Sequence, residues 1–310
     1  MGALAAVLAL GLCAASPVKE LPLHGPAAYP ASEISGMAWH GDHLFLVAEN
    51  PTRGFFVLDK AVLLAAVDAD DPDPLEPGIA LIENAEALEA IPNFDGIEAL
   101  TFHADEAYML VESRSSDCAM AAYLIRGKVD PATLAITLDK AAPTALPLSH
   151  QTCNFSCEAL VLHGESLLVF EEANGANLVP APKATVFSLA LEPQAPLPIP
   201  SIEYRVTDAT PPDAQGKFWA INYLWPPERK LLDPADAATD PKAPVELLLE
   251  LQVNEDGVRR TERAPVDLRA GGPASLEPHN WEGIARLGNR GFLLITDAFP
   301  RTVLRFVSLP

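Results

Sequence analysis

The chain is short of positive charge. Lys and Arg number 21 against 42 Asp and Glu, a net charge of −21 over 310 residues. Such an excess repels a phosphate backbone and argues against nucleic-acid binding. It suits cations, or a small ligand held at a locally basic spot, and most of these carboxylates need do no more than keep the protein in solution. Histidine and cysteine are scarce as well, with seven and four residues, and they form no cluster at the spacing of a zinc site. A glycine-rich phosphate loop is absent. The "GES" at Gly164 lacks the second glycine of a nucleophile elbow. Helical periodicity of any length is missing, while 30 prolines and 18 glycines are scattered along the chain, which indicates many turns.

Long apolar runs are confined to the beginning, "MGALAAVLALGLCAASPVKE". The stretch from Ala3 to Ala15 has the length of an export-signal core, is too short to span a bilayer, and ends in small residues suited to cleavage. No Lys or Arg precedes it, so a misplaced start or a segment that is not a signal are alternatives. Cys13 as a lipoprotein cysteine is a third, against which Leu12 is bulky. On the signal reading, residues 1–16 are removed and 17–310 form a single periplasmic or secreted domain. That domain is expected to be a monomer with no stable membrane span.

What the chain does have is a repeat. "ISGMAWHGDHLFLVAEN" begins at Ile34, "IEALTFHADEAYMLVES" at Ile97, "CEALVLHGESLLVFEEA" at Cys157 and "WEGIARLGNRGFLLITD" at Trp281. Each copy opens on a polar residue, runs through an apolar strand, turns, and returns through a second apolar strand to an acid. The openings are Ser35, Glu98, Glu158 and Glu282, and the wide last gap hides a fifth copy, "TDATPPDAQGKFWAINY", opening at Asp208. From opening to closing residue is 14 positions in four copies and 15 in the last. Between copies there is room for two outer strands, and "ATVFSLALE" and "VELLLELQVNEDGVRR" show the alternation expected of them. The pattern predicts an all-β, five-bladed β-propeller with four-stranded antiparallel blades. A sandwich is the structural alternative, but it would not place the same acid at the same phase five times. "VKELPL" is expected to pair with the last blade and so remove an exposed edge.

In that geometry Ser35, Glu98, Glu158, Asp208 and Glu282 form an inner ring at one end of the channel. Glu49, Glu112, Glu172 (or Glu171), Asn222 and Asp297 form a second ring beside it. Convergent carboxylates in a narrow channel need a partner, and a hard cation, calcium (Ca2+) before magnesium, suits an all-oxygen set. A polar channel filled only with water is the plainer alternative. Arg53 and Arg301 each follow a second-ring acid by four residues, in blades that ring closure makes neighbours. Arg114 and Arg229 are further candidates. They suit a small anionic substrate, or else they pair with rim acids.

"EALTF", "EALVL" and "WEGIARL", each leading to a strand that ends in an acid, resemble the blade motifs of the phytase-like (esterase-like activity of phytase) propellers. They are also similar to the five-bladed calcium-activated nucleotidases and, more distantly, to the SdiA-regulated propellers. The resemblance covers nearly all of the mature chain. It implies a central calcium held by Ser35, Glu98, Glu158 and Glu282, with Asp208 or a neighbour from blade four. The insertion at 59–93 and "FWAINYLWPPE" depart from the nucleotidase pattern.

Three functions are expected to compete. A calcium-dependent phosphohydrolase would use Glu49, Glu172 or Asp297 to activate water and Arg53 and Arg301 to stabilise charge. A binding propeller would keep calcium for structure alone. A carboxylate-pair glycosidase would need two separated acids. Trp219, Tyr223 and Trp225 either stack on a ligand or cover a blade edge. Cys118 is expected to pair with Cys153 or Cys157 unless those two join locally, which leaves one thiol free in the mature chain.

Overall fold

The computed structural model describes residues 18–51, 53–232, 243–269, 279–298 and 301–309. The export-signal segment and Cys13 lie outside them. Among the described residues no helix is long and apolar enough to cross a membrane.

Five antiparallel hairpins organise the chain at the positions of the sequence repeat. They pair Ile34–His40 with His43–Ala48, Phe94–His103 with Glu106–Arg114, Cys157–His163 with Ser166–Glu171, Arg205–Ala209 with Lys217–Leu224, and Trp281–Leu287 with Gly291–Thr296. We call them hairpins one to five. Apolar side chains on both faces of these strands are buried, which is why they read as nearly continuous Val, Leu, Ile and Phe. The turns need a left-handed residue. Gly41 and Gly164 supply it at φ +58° and +60°, and in hairpin two Ala104 takes the same conformation at +50°.

Further strands extend each hairpin outward. Lys183–Ser188 and Leu197–Pro198 complete a four-stranded sheet on hairpin three. Val245–Asn254 and Gly257–Arg260 do so on hairpin four, where Val266–Asp267 adds a short fifth strand. On hairpin five, Leu304–Ser308 pairs with Gly291–Thr296, and Val18–Leu21 then pairs with Leu304–Ser308. The N-terminal strand thus closes the last sheet as expected. Hairpins one and two share a nine-stranded sheet, because Gly78–Glu83 runs parallel to Ile136–Leu138 through Ile82 and Glu83. The strands therefore form four sheets, and the count of five blades does not follow from sheet pairing alone.

The first strands of successive hairpins pack side by side, and that of hairpin five packs against that of hairpin one. Apolar clusters fill the space between neighbouring sheets, for example Phe170 and Phe218 between hairpins three and four. The insertion after hairpin one holds the α-helix Lys60–Asp68, which the absence of helical periodicity did not anticipate. Its "KAVLLAAVD" is nine residues of mostly strong helix formers, and it buries Leu63 and Ala66.

Candidate functional site

Each hairpin carries a β-bulge at its opening. The register slips between Ile34 and Gly36, Ile97 and Ala99, Cys157 and Ala159, Val206 and Ala209, and Trp281 and Gly283. The residues inside these slips are Ser35, Glu98, Glu158, Thr207 with Asp208, and Glu282. A bulge leaves its extra residue outside the ladder and re-aims the side chain. The five opening residues found in the sequence are thus all among those displaced from the regular pleat, and all five are buried.

Glu98, Glu158 and Glu282 converge. Burial raises the pKa of Glu98 well above the usual carboxylate range, and the charges of Glu49, Glu112, Glu158 and Glu282 raise it further. Burial and then Glu158 do the same to Glu282. Ser35 Oγ donates to the Ile97 carbonyl at 2.6 Å and so ties hairpin one to hairpin two. Asp208 is engaged by backbone, with Oδ2 accepting from Ile284 N at 2.8 Å and Oδ1 from Ala209 N at 2.7 Å.

In place of an acid, hairpin four sends an arginine to the ring. Arg205 is 7 % exposed. Its Nη2 lies 3.2 Å from Glu158 Oε1 and 3.6 Å from Glu282 Oε1, its Nε donates to Glu172, and Nη1 is 3.8 Å from Glu228. The rings of Phe155 and Tyr223 flank the guanidinium at 5.8 and 5.6 Å. Asn222, from the second ring, donates to the Arg205 carbonyl at 3.2 Å. Burial disfavours the charged guanidinium, yet Glu158, Glu282 and Glu228 hold its pKa above the ordinary value. Sequence reasoning missed Arg205 and Glu228. An arginine three residues before the opening Asp208, in "IEYRVTDA", was the available signal.

The other side of the ring has carboxyls without such a partner. Glu49 is raised to about 8, first by burial and then by Glu33, Asp297 and Asp95. Glu112 is also raised to about 8, by burial, by Glu158 and by a hydrogen bond to Asp95. Gly96 permits this crowding, since a Cβ there would lie 2.7 Å from Glu49 Cγ and 2.9 Å from Glu98 Oε1. Asp297 acts on Glu49, Glu158 and Glu282 alike. Glu172 is fully buried.

The rim arginines have separate fates. Arg301 pairs with Glu20 at 2.7 Å, Arg114 pairs with Asp95 at 2.9 Å, and Arg53 is exposed. Arg229 is buried, and one of its contacts is to the Ala243 carbonyl at 3.3 Å. Trp219 is covered by its own sheet and by Phe292, whereas Trp225 stands 48 % exposed. Cys118 and Cys153 form a disulfide that joins the loop after hairpin two to the approach to hairpin three, and Cys157 is a buried free thiol. Among the described residues no group of three or more His, Cys, Asp or Glu is arranged to hold a metal ion. Beside Arg205 lies a cavity of about 260 Å³ lined by Asn154, Arg205, Tyr223, Trp225, Glu228 and Asn280. A larger recess of about 660 Å³, between Asn84, Lys128 and Lys140, contains no residue of the ring.

The fold is that of a β-propeller, and its similarities are to propeller enzymes. A GH43 endo-arabinanase from Bacillus licheniformis aligns over 93 % of this chain and 96 % of its own, at 12 % identity and a TM-score of 0.50. An α-L-arabinofuranosidase from Clostridium thermocellum aligns over 85 % and 81 %, at 7 % and 0.49. A glucose dehydrogenase aligns over 95 % and 100 %, at 10 % and 0.48. No family model matches the chain, and no curated protein matches it.

Proposed function

We propose that this propeller is a hydrolase of a small phosphorylated substrate, acting at the carboxylate ring. In the same reading the nine-stranded sheet is two blades joined at their outer edges, which makes five blades. The observation behind the function is the ring's asymmetry. Glu49 and Glu112, at about 8, are largely protonated near neutral pH, while at Glu158, which burial also raises, Arg205 pulls back toward the ionised form. Environments that push carboxyls apart in this way supply an acid and a base to one site. Glu49 is the proton donor to the leaving oxygen. Asp297, near enough to help raise Glu49, is the base for the attacking water. Glu172 holds Arg205 in place, and Arg53, exposed after Glu49, is the rim arginine open to an anion.

Calcium belongs to this reading. The fit lies in the donor set, which is all oxygen, in the buried Glu158 Oε2 that lacks a hydrogen-bond partner, and in the four carboxylates whose charges act on Glu98. Ser35, Glu98, Glu158 and Glu282 would hold the ion, which supplies Lewis-acid polarisation of a phosphoryl oxygen when bound. The blade motifs shared with the phytase-like and nucleotidase propellers support the phosphoryl substrate. The Cys118–Cys153 disulfide supports a periplasmic or secreted location. A second reading, glycosidic hydrolysis by the same carboxyls, is favoured by one fact: the buried guanidinium is already surrounded by four carboxylates.

The test is a panel of phosphate esters, phosphoanhydrides and aryl glycosides, assayed with calcium and with chelator. Calcium-dependent phosphate release, lost in Glu49→Gln, is the expected result. Cleavage of glycosides alone would select the second reading. No turnover of any panel member would remove both.

A further inference from the structure

We infer that the cavity beside Arg205 is a binding site for a neutral, polyhydroxylated ring, a single furanose or pyranose. Four features of the cavity point to such a ligand.

The first is unmet hydrogen-bonding capacity. Glu228 Oε2 and Asn280 Oδ1 are buried and have no hydrogen-bond partner. A buried acceptor in that condition costs free energy until a donor reaches it. Two such acceptors on lining residues therefore favour a ligand rich in O–H or N–H groups.

The second is charge. Glu158, Glu172, Glu228 and Glu282 surround the one guanidinium of Arg205. Four acidic side chains to one basic one make the surroundings unfavourable to a further anion, so the part of a ligand that enters here does not carry the phosphate's charge.

The third is shape. Trp225 is the large apolar side chain of the cavity that remains half exposed. Its indole offers one flat face on which the C–H face of a sugar packs. Tyr223, the other aromatic, is already covered by the Arg205 guanidinium. The cavity thus has one aromatic wall and lacks the several faces of an ammonium cage. Its volume of about 260 Å³ falls just below the ~300–1,000 Å³ of sites for drug-sized ligands, which suits one ring.

The fourth is a donor. Asn154, which lines the cavity, has its Oδ1 occupied by Arg114, so its Nδ2–H groups are what it has left to offer a ligand. A sugar hydroxyl accepts from Asn154 and donates to Glu228 or Asn280, whereas an ammonium ion has no acceptor to offer. The placement of the cavity next to the acid ring rests on the proposed hydrolase reading, where this ring would be the organic part of the substrate. Binding itself does not depend on that reading.

The experiment is isothermal titration of the full chain with D-glucose, D-xylose, L-arabinose and D-ribose, and with choline and inorganic phosphate as contrasts. At least one sugar is expected to bind saturably. Trp225→Ala and Glu228→Gln should each weaken it about tenfold, and Trp225→Ala, at an exposed position, should leave the melting temperature unchanged. Three results would overturn the assignment: no saturable sugar binding, choline binding where sugars fail, or sugar affinity unmoved by Trp225→Ala. Sugar binding without phosphate release would remove the hydrolase and leave the sugar site. Phosphate release without sugar binding would do the reverse.

Discussion

On one side of the ring, hairpins three and five turn Glu158 and Glu282 toward a guanidinium that also holds Glu172. On the other, hairpins one and two crowd Glu49, Glu98 and Glu112 together, with Glu98 ringed by other carboxyls. Both sides are built from the same bulged hairpin, and both bury carboxyls. The difference is one residue contributed by hairpin four. Where Arg205 reaches, its opposite charge offsets part of the burial that raises Glu158 and Glu282. Where it does not, balance comes from a bound proton or from a cation out of solution. A carboxyl that holds its proton near neutral pH has chemistry to offer, and one locked to a guanidinium has a position to hold.

The largest effect should come from erasing that difference. Arg205→Met leaves Glu158, Glu172 and Glu282 buried without their counter-ion, and we expect a loss of about 3–5 kcal/mol in urea unfolding at neutral pH. Arg205→Lys should recover only part of it, because an ammonium lacks the planar fork. A near-neutral Arg205→Met would dissolve the contrast between the halves.

Next is the acid itself. Glu49→Gln should lower turnover of the panel substrate by about 10²–10⁴-fold, the range for a general acid, while the fold persists. Retention of full rate would take Glu49 out of the chemistry.

The pH dependence of stability sharpens the same contrast. Glu49 and Glu112 stand at about 8 in the folded chain against 4.5 ordinarily. The folded state therefore binds more protons than the unfolded one across that window. Their contribution is complete below the ordinary value and is lost as pH rises through about 8. The melting temperature should fall over that interval, and fall less in Glu49→Gln/Glu112→Gln or with calcium added. A flat profile in the parent protein would mean that these carboxyls are neutralised in another way.

The smallest effect belongs to the rim. Arg301 and Glu20 are 58 % and 39 % exposed, so Arg301→Ala should cost under about 1 kcal/mol and leave turnover alone. A tenfold loss of rate would return Arg301 to the site.

Much of this was legible in the chain. The five hairpins show as apolar strands in phase, and the residue that opens each is the one the bulge displaces. The closing strand Val18–Leu21 was legible too, because a propeller needs a partner for its last sheet. Arg205 was not. The copies align on their acids, and Asp208 fills that slot in hairpin four, yet its oxygens are taken by the N–H groups of Ile284 and Ala209. An acid that meets carboxylates and one that caps a neighbouring strand are the same letter, and only the packing of hairpin four against five separates them. The parallel contact of Gly78–Glu83 with Ile136–Leu138 was also hidden, since it depends on how the insertion after hairpin one folds back. The cysteines allowed three pairings, and the choice followed from Cys157 being buried in strand one of hairpin three.

The seam between Val18–Leu21 and Leu304–Ser308 joins strands far apart in sequence through four residue pairs. During synthesis the first of these strands waits, with an unpaired edge, until Leu304–Ser308 has been made. Closing a loop of that length is slow, and an unpaired edge is open to wrong partners meanwhile. One short seam therefore sets when the last sheet is complete.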